Sequence, residues 1–187
     1  MVNSPVVARL RRPAVFETSG VSEAVQAQQA EQIAAWERHN ADALVALECL
    51  MLDGDGFDAL EANLQLDQVH LARVRATRHL VERPAELVEK HPTGSIAVYA
   101  GLRGDAVLKY GGRRQMVRPG QLVVCDADQP FQRGFAHGLE ELAVKVPRAA
   151  FEERTGLSTV AEPVIVDVGP GGDIYGRALV RLVGNAV

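Results

Sequence analysis

From about position 44 to position 146 the chain alternates apolar and polar residues with a period of two, in short runs: "LVALECLML", "FDALEANLQL", "QVHLARVRATRHLVE", "SIAVYAGL", "AVLKY", "RRQMV", "QLVVCD", "FQRGF" and "EELAVKV". A period of two sends alternate side chains to opposite faces of a strand. Turn formers separate the runs: DGDG, HPTG, RGD, GG, PG and DADQP. Many short strands at such close spacing predict a sandwich or barrel. The clearest hairpin is "KYGGRRQMV", because Gly111-Gly112 can take the positive φ values of a type I′ turn.

The flanks change period. Residues 22–40, "SEAVQAQQAEQIAAWERHN", predict a helix that Ser22 caps, alanine and glutamine propagate and Asn40 ends. Val21, Val25, Ile33 and Trp36 fall on one arc, so this helix packs against something as a structural strap. After the strands, "VPRAAFEERTG" predicts a helix with Pro147 at its start and Gly156 at its stop. A last helix is expected from about Asp173 to Gly184, with Ile174, Tyr175, Ala178, Leu179 and Leu182 on one face and Asp173, Arg177 and Arg181 away from it. Residues 1–20 read as an irregular arm whose "RLRR" has no interleaved aromatics and is expected to be solvated. The expected fold class is mainly β with flanking helices. One structural domain is divided into an arm and helix (1–40), a barrel (41–146) and a C-terminal helical segment for dimerisation or linkage (147–187).

At 187 residues, 47% apolar and 24% charged, the chain has enough material for one real core. A formal charge of −4 argues against a domain whose main task is gripping phosphates. Cys49 and Cys125 lie far apart, form no CxxC and read as buried free thiols in a reducing compartment. The N-terminal stretch has prolines and arginines where a secretory signal needs an apolar run, and no segment approaches the ~18 apolar residues of a membrane helix. The expectation is a cytoplasmic protein without membrane contact.

Local catalytic motifs are absent. "DGDGFD" starts like a calcium loop, but Phe57 takes a ligand position and Asp58 the required glycine, so a hairpin turn is expected. "RGD" at 103–105 is a turn between strands, "GPGGDIYG" lacks phosphate-loop spacing, and no GxSxG occurs. His70, His79 and His91 are isolated, without an HxH.

Residues 118–132, "RPGQLVVCDADQPFQ", resemble the phrase from which cupin barrels are built: turn, strand, turn, strand. Many cupins place a metal-binding histidine just after the second turn. Aligned on Gly120, the proline, glycine and histidine of that motif fall on Asp126, Asp128 and Phe131. With no HxH upstream, a transition-metal site of the cupin kind is not expected, nor any other cofactor. More narrowly, 90–156 resembles the amino-terminal domain of AraC-type transcriptional regulators. Gly112-Arg113, Pro119-Gly120-Gln121-Leu122, Asp126 with Pro130-Phe131, and Val146-Pro147-Arg148 carry the likeness, which weakens over 30–90.

That resemblance implies a metal-free barrel that binds a small-molecule effector and mediates a homodimer. Such regulators contact DNA through helix-turn-helix units for which no room remains in this chain. It would then be the sensory half of a regulator, cut out or naturally solitary, unable to recognise operator DNA by itself. Candidate pocket residues are Arg75, His79, His91, Tyr99 and Phe131, and each could equally face outward or serve as ordinary core. An inward arginine would suggest an acidic effector. Candidate dimerisation residues are Ile174, Tyr175, Ala178, Leu179 and Leu182. The alternative reading is a stand-alone, metal-free cupin enzyme of isomerase type using His91, Tyr99 or an arginine for acid–base work.

Overall fold

The alternating runs become strands almost one for one in a computed structural model, which describes residues 14–16, 23–52 and 56–187. In chain order the elements are β1 (Ala14–Phe16), α1 (Glu23–Ala43), β2 (Glu48–Met51), β3 (Ala59–Leu66), β4 (Val69–Ala76), β5 (His79–Arg83), α2 (Ala85–Lys90), β6 (Ser95–Arg103), β7 (Ala106–Tyr110), β8 (Arg113–Val117), β9 (Gln121–Asp126), β10 (Phe131–Phe135), β11 (Leu139–Pro147), α3 (Arg148–Thr155), β12 (Val164–Asp167) and α4 (Ile174–Ala186). The "RLRR" arm, the Ser22 cap, Val21, the Val25 side chain and most of the DGDG turn lie outside the described residues. No described helix is long and apolar enough to cross a membrane.

Two antiparallel sheets face one another. The larger has the order β1-β3-β4-β11-β6-β9-β12, the smaller β2-β5-β10-β7-β8. This is a jelly-roll barrel of the cupin kind, mainly β, with the helices on its flanks. The run 68–82 splits at Thr77-Arg78, and its halves enter different sheets; Thr77 ties this corner to Asp58 through backbone and hydroxyl hydrogen bonds. Gly111 and Gly112, at φ 51° and 77°, make the expected hairpin turn between β7 and β8. Five features escape the alternation. Residues 44–47 run as a buried connector, β1 forms in the arm expected to be irregular, α2 interrupts the run of strands, β12 adds a strand inside the segment expected to be helical, and α1 continues past Asn40 to Ala43.

The larger sheet is apolar on both faces. Its inner face joins Phe57, Val81, Leu108, Phe131 and Phe135 in the barrel core. Its outer face (Leu64, Leu71, Ala100, Leu122, Leu142, Val144) is covered by α4 through Val183, Leu179 and Val180. Asp173 caps α4 by accepting from the Gly176 amide at 2.6 Å. The helix therefore has two apolar sides. Leu179 turns to its own sheet, while Ile174, Tyr175 and Leu182 stand 60%, 79% and 68% exposed, with Ala178 also exposed.

The turn Asp126-Ala127-Asp128 ties the periphery to the barrel. Arg148 forks onto Asp126 at 2.6 and 2.7 Å, which fixes the start of α3 and joins two motif pieces that stand apart in sequence. Thr159 also donates to Asp126. Against the burial that would raise it, hydrogen bonds from Arg148, the Asp128 amide and Thr159 hold the Asp126 carboxyl below the usual range. Asp128 collects the Thr93 amide and hydroxyl and the Gly94 amide, while Arg83, fully buried, donates to Ala127 O, Ala46 O, His91 O and Asp128. Arg83→Leu keeps the apolar stem and removes every one of these donors, leaving three carbonyls and a carboxylate short of partners. The expected loss is about 3–5 kcal/mol in urea unfolding. A loss under about 1 kcal/mol would show that water takes over these bonds.

Candidate functional site

Alternation along β10 sends Phe131, Arg133 and Phe135 into the barrel. Arg133 meets Glu141 of β11 in a bidentate pair, Nη1 to Oε1 at 2.9 Å and Nη2 to Oε2 at 2.6 Å. Both side chains are buried, and the guanidinium lies over the Tyr99 ring at 4.2 Å and the Phe135 ring at 4.9 Å. Burial opposes the charge on Arg133, but Glu141 more than restores it, so the arginine stays cationic.

Around this pair lies an aromatic box. His79 sits edge-on to Trp36 and Phe57, at 5.8 and 5.6 Å between ring centres, and 4.9 Å from Phe135. Its Nδ1 reaches the Thr77 carbonyl at 2.7 Å, and burial holds the imidazole below its ordinary value, hence neutral. Trp36 of α1, with Asn40 and the 44–47 connector, closes the mouth over a cavity of about 30 Å³ lined also by Val74, Val81, Leu139 and Ala143. Tyr99, pushed upward in pKa by burial, completes the wall. Cys125, whose thiol burial drives to about 12, and Cys49 are free and buried, as expected of inert core thiols.

A family profile described as "AraC-binding-like domain" matches residues 36–187. The chain belongs to that family. Among solved structures it is similar to the AraC-like transcriptional activator CuxR, at 16% identity and TM-score 0.69, covering 83% of this chain and 56% of that one. It also overlaps a cupin superfamily protein from Desulfitobacterium hafniense, at 16% identity, TM-score 0.41, 51% of this chain and 83% of that one. A curated relative from Bacillus sp. (strain OxB-1), "Uncharacterized protein in nit 5'region", is 21% identical over 142 residues, or 74% of this chain and 55% of the relative. The chain thus spans about half the length of the curated relative and of the CuxR structure.

A cupin metal does not fit this AraC-binding-like barrel. Phe131, at the position where the motif carries histidine, is packed in the core, and Glu141 is committed to Arg133. No group of three or more His, Cys, Asp or Glu among the described residues could hold a metal ion.

Of the residues singled out from sequence, His79 and Tyr99 meet in the cavity wall. Phe131 packs nearby, between the core and an outer groove beside Tyr110 and Pro130. Arg75 does not join them: its register opposite outward-facing Leu60 and Glu140 puts it on the outer surface, 61% exposed, where it donates to Glu140. His91 is exposed at the end of α2 and contributes its carbonyl to Arg83, not its ring to a pocket. Residues that alternation alone overlooked are Arg133, Glu141, Phe135 and Trp36. The phrase "FQRGF" contained the signal, since an arginine between two phenylalanines at period two shares their inward face.

His79 and His39 lead to opposite pH effects. Unfolding exposes His79, which then takes up a proton below pH about 6.5, so its stabilising contribution is full above that value and drains as pH falls. His39, raised chiefly by the hydrogen bond the Glu61 carboxylate can accept, contributes fully below about 6.5 and loses its share as pH rises through its folded value. Between pH 7.5 and 5.5, wild type should lose up to about 1 kcal/mol more stability than His79→Phe, measured by urea unfolding at both pH values. Equal losses in the two proteins would show that His79 is not held neutral.

Proposed function

We propose that this chain is the effector-sensing and dimerisation domain of a cytoplasmic AraC-type transcriptional regulator. The cavity under α1 carries the sensory reading: a wall of Trp36, His79, Tyr99 and Phe135 with a few fixed polar groups has the composition of a small-molecule site. At about 30 Å³ it has room for a water molecule or two and not for an organic effector. An effector therefore enters by moving α1 and the 44–47 connector outward, and that displacement is the signal. DNA contact belongs to helix-turn-helix units outside these residues. An isomerase-like enzyme gains nothing from the geometry, because His91 is outside the barrel and Tyr99 is held against ionisation.

The outer side of α4 supports the homodimer. Ile174, Tyr175, Ala178 and Leu182 remain exposed after the other side has packed on the sheet. At ~25 cal/mol per Å² of apolar surface, covering two such side chains is worth several kcal/mol. Symmetric regulators reading paired half-sites use a two-fold contact of this kind. Trp36 is the sole tryptophan of the chain and lines the cavity, so its fluorescence reports on both parts of the proposal. A metabolite screen read by Trp36 emission should find a ligand that also shifts the sedimentation or the α1 exchange rates of the dimer. Wild type should sediment as a dimer at tens of micromolar, and Tyr175→Glu with Leu182→Glu as a folded monomer with unchanged circular dichroism. A wild type already monomeric at that concentration, with no ligand found, would refute the reading.

A further inference from the structure

Glu61 is the one deeply buried acid among the described residues whose polar contact is no more than a long approach from a histidine. It is 1% exposed, and apart from the 3.5 Å approach of His39, which can donate when protonated, neither carboxylate oxygen has a hydrogen-bond donor among the described residues. The other two acids on these inner and outer rows, Glu141 and Glu140, are held by arginines. The nearest cationic group to Glu61 is His39 Nε2 of α1, 3.5 Å from Oε1 and itself engaged with Asn63 Nδ2 at 2.8 Å. Asn63 Oδ1, two residues along β3, is also buried without a partner. Three buried acceptor oxygens on β3 thus lack a close donor among the described residues, where burying even one normally costs free energy.

The sheet register places this acceptor patch beside the cavity. Glu61 and Glu141 both pair with Val74, one on each side, so the three share a row and an inward face. Val74 and Glu141 line the cavity, and Glu61 is one strand spacing, about 4.8 Å, beyond Val74. Trp36, also lining it, sits one helical turn before His39 on α1, and its Nε1 is buried and unpartnered. The helix that covers the cavity therefore covers the patch as well.

Charge decides what would settle there. Arg133 is neutralised by Glu141 and has no anion-binding capacity to spare. His79 is neutral, and Lys145 donates to Leu44 O at 2.8 Å, four residues along β11 from Glu141. What remains is the Glu61 carboxylate with its long contact to His39. We infer that the barrel selects a cationic effector: an aromatic ring for the Trp36–His79–Phe135 box, joined by a short arm to a protonated amine that donates to Glu61 and Asn63. This rests on the sensory reading above and reverses the acidic effector that an inward arginine would suggest.

The test uses the whole chain and three probes that differ only in their polar end: 2-phenylethylammonium, 2-phenylethanol and phenylacetate, titrated at neutral pH against Trp36 fluorescence. The ammonium should bind at least ten-fold more tightly than the alcohol and more tightly still than the carboxylate. Glu61→Gln should remove the ammonium preference while leaving the alcohol's affinity within about two-fold. Should that variant lose its circular dichroism, the order of the three probes on the unaltered protein decides alone. Phenylacetate binding as well as the ammonium, an ammonium preference that survives Glu61→Gln, or no response to the ammonium would each overturn the inference. An alcohol or carboxylate that binds without the ammonium would still leave the barrel a sensory site, so the two claims fail separately.

Discussion

The Arg133–Glu141 pair sets what the barrel interior can be. Taking two such ions out of water costs several kcal/mol each, and the cost is offset only when the geometry is close and the donors are matched. Here the fork is bidentate and the guanidinium is stacked on Tyr99 and Phe135. The pair therefore dictates aromatic neighbours on β6 and β10, fixes β10 against β11 across the barrel, and occupies both oxygens of the inward acid. A barrel with this centre presents aromatic rings around a neutralised ion pair, and its inward acid is committed to an arginine.

A second set of buried charges does a different job. Asp126, Asp128, Arg83 and Arg148 bind almost wholly to one another and to backbone groups of connectors. They hold the 44–47 connector, the 91–94 loop and α3 in place around the barrel end. The contrast with Glu61 is informative. Among the described residues Asp126, Glu140 and Glu141 have their donors, whereas Glu61 has only the 3.5 Å approach of His39.

Strand alternation was legible because each run has one buried and one less buried face, so period and burial coincide. Turn chemistry was legible for the same physical reason at Gly111-Gly112, where only positive φ closes the hairpin. The edge strands β1 and β12 were not: three or four residues carry too little pattern, and β12 exists because β9 offers it a free edge. Site residues were harder. Period two cannot say which face is inward, so Arg75 and Arg133 were equally eligible, and only the register opposite Glu140 or Glu141 separates them. Of the α4 face read from sequence, Ile174, Tyr175, Ala178 and Leu182 are exposed, but a helix with two apolar sides cannot be assigned from periodicity alone, and Leu179 belongs to the sheet side.

The account stands or falls on the coupling of the two charges at the barrel centre. A double-mutant cycle with Arg133→Met, Glu141→Leu and the pair together, read as urea unfolding free energies, measures it directly. Each single change leaves a buried charge alone and should cost about 3–5 kcal/mol, while the double should be little worse than either and can be milder. Losses that simply add would contradict the account, because they would mean that the two side chains act independently and that the interior is not built around their pairing.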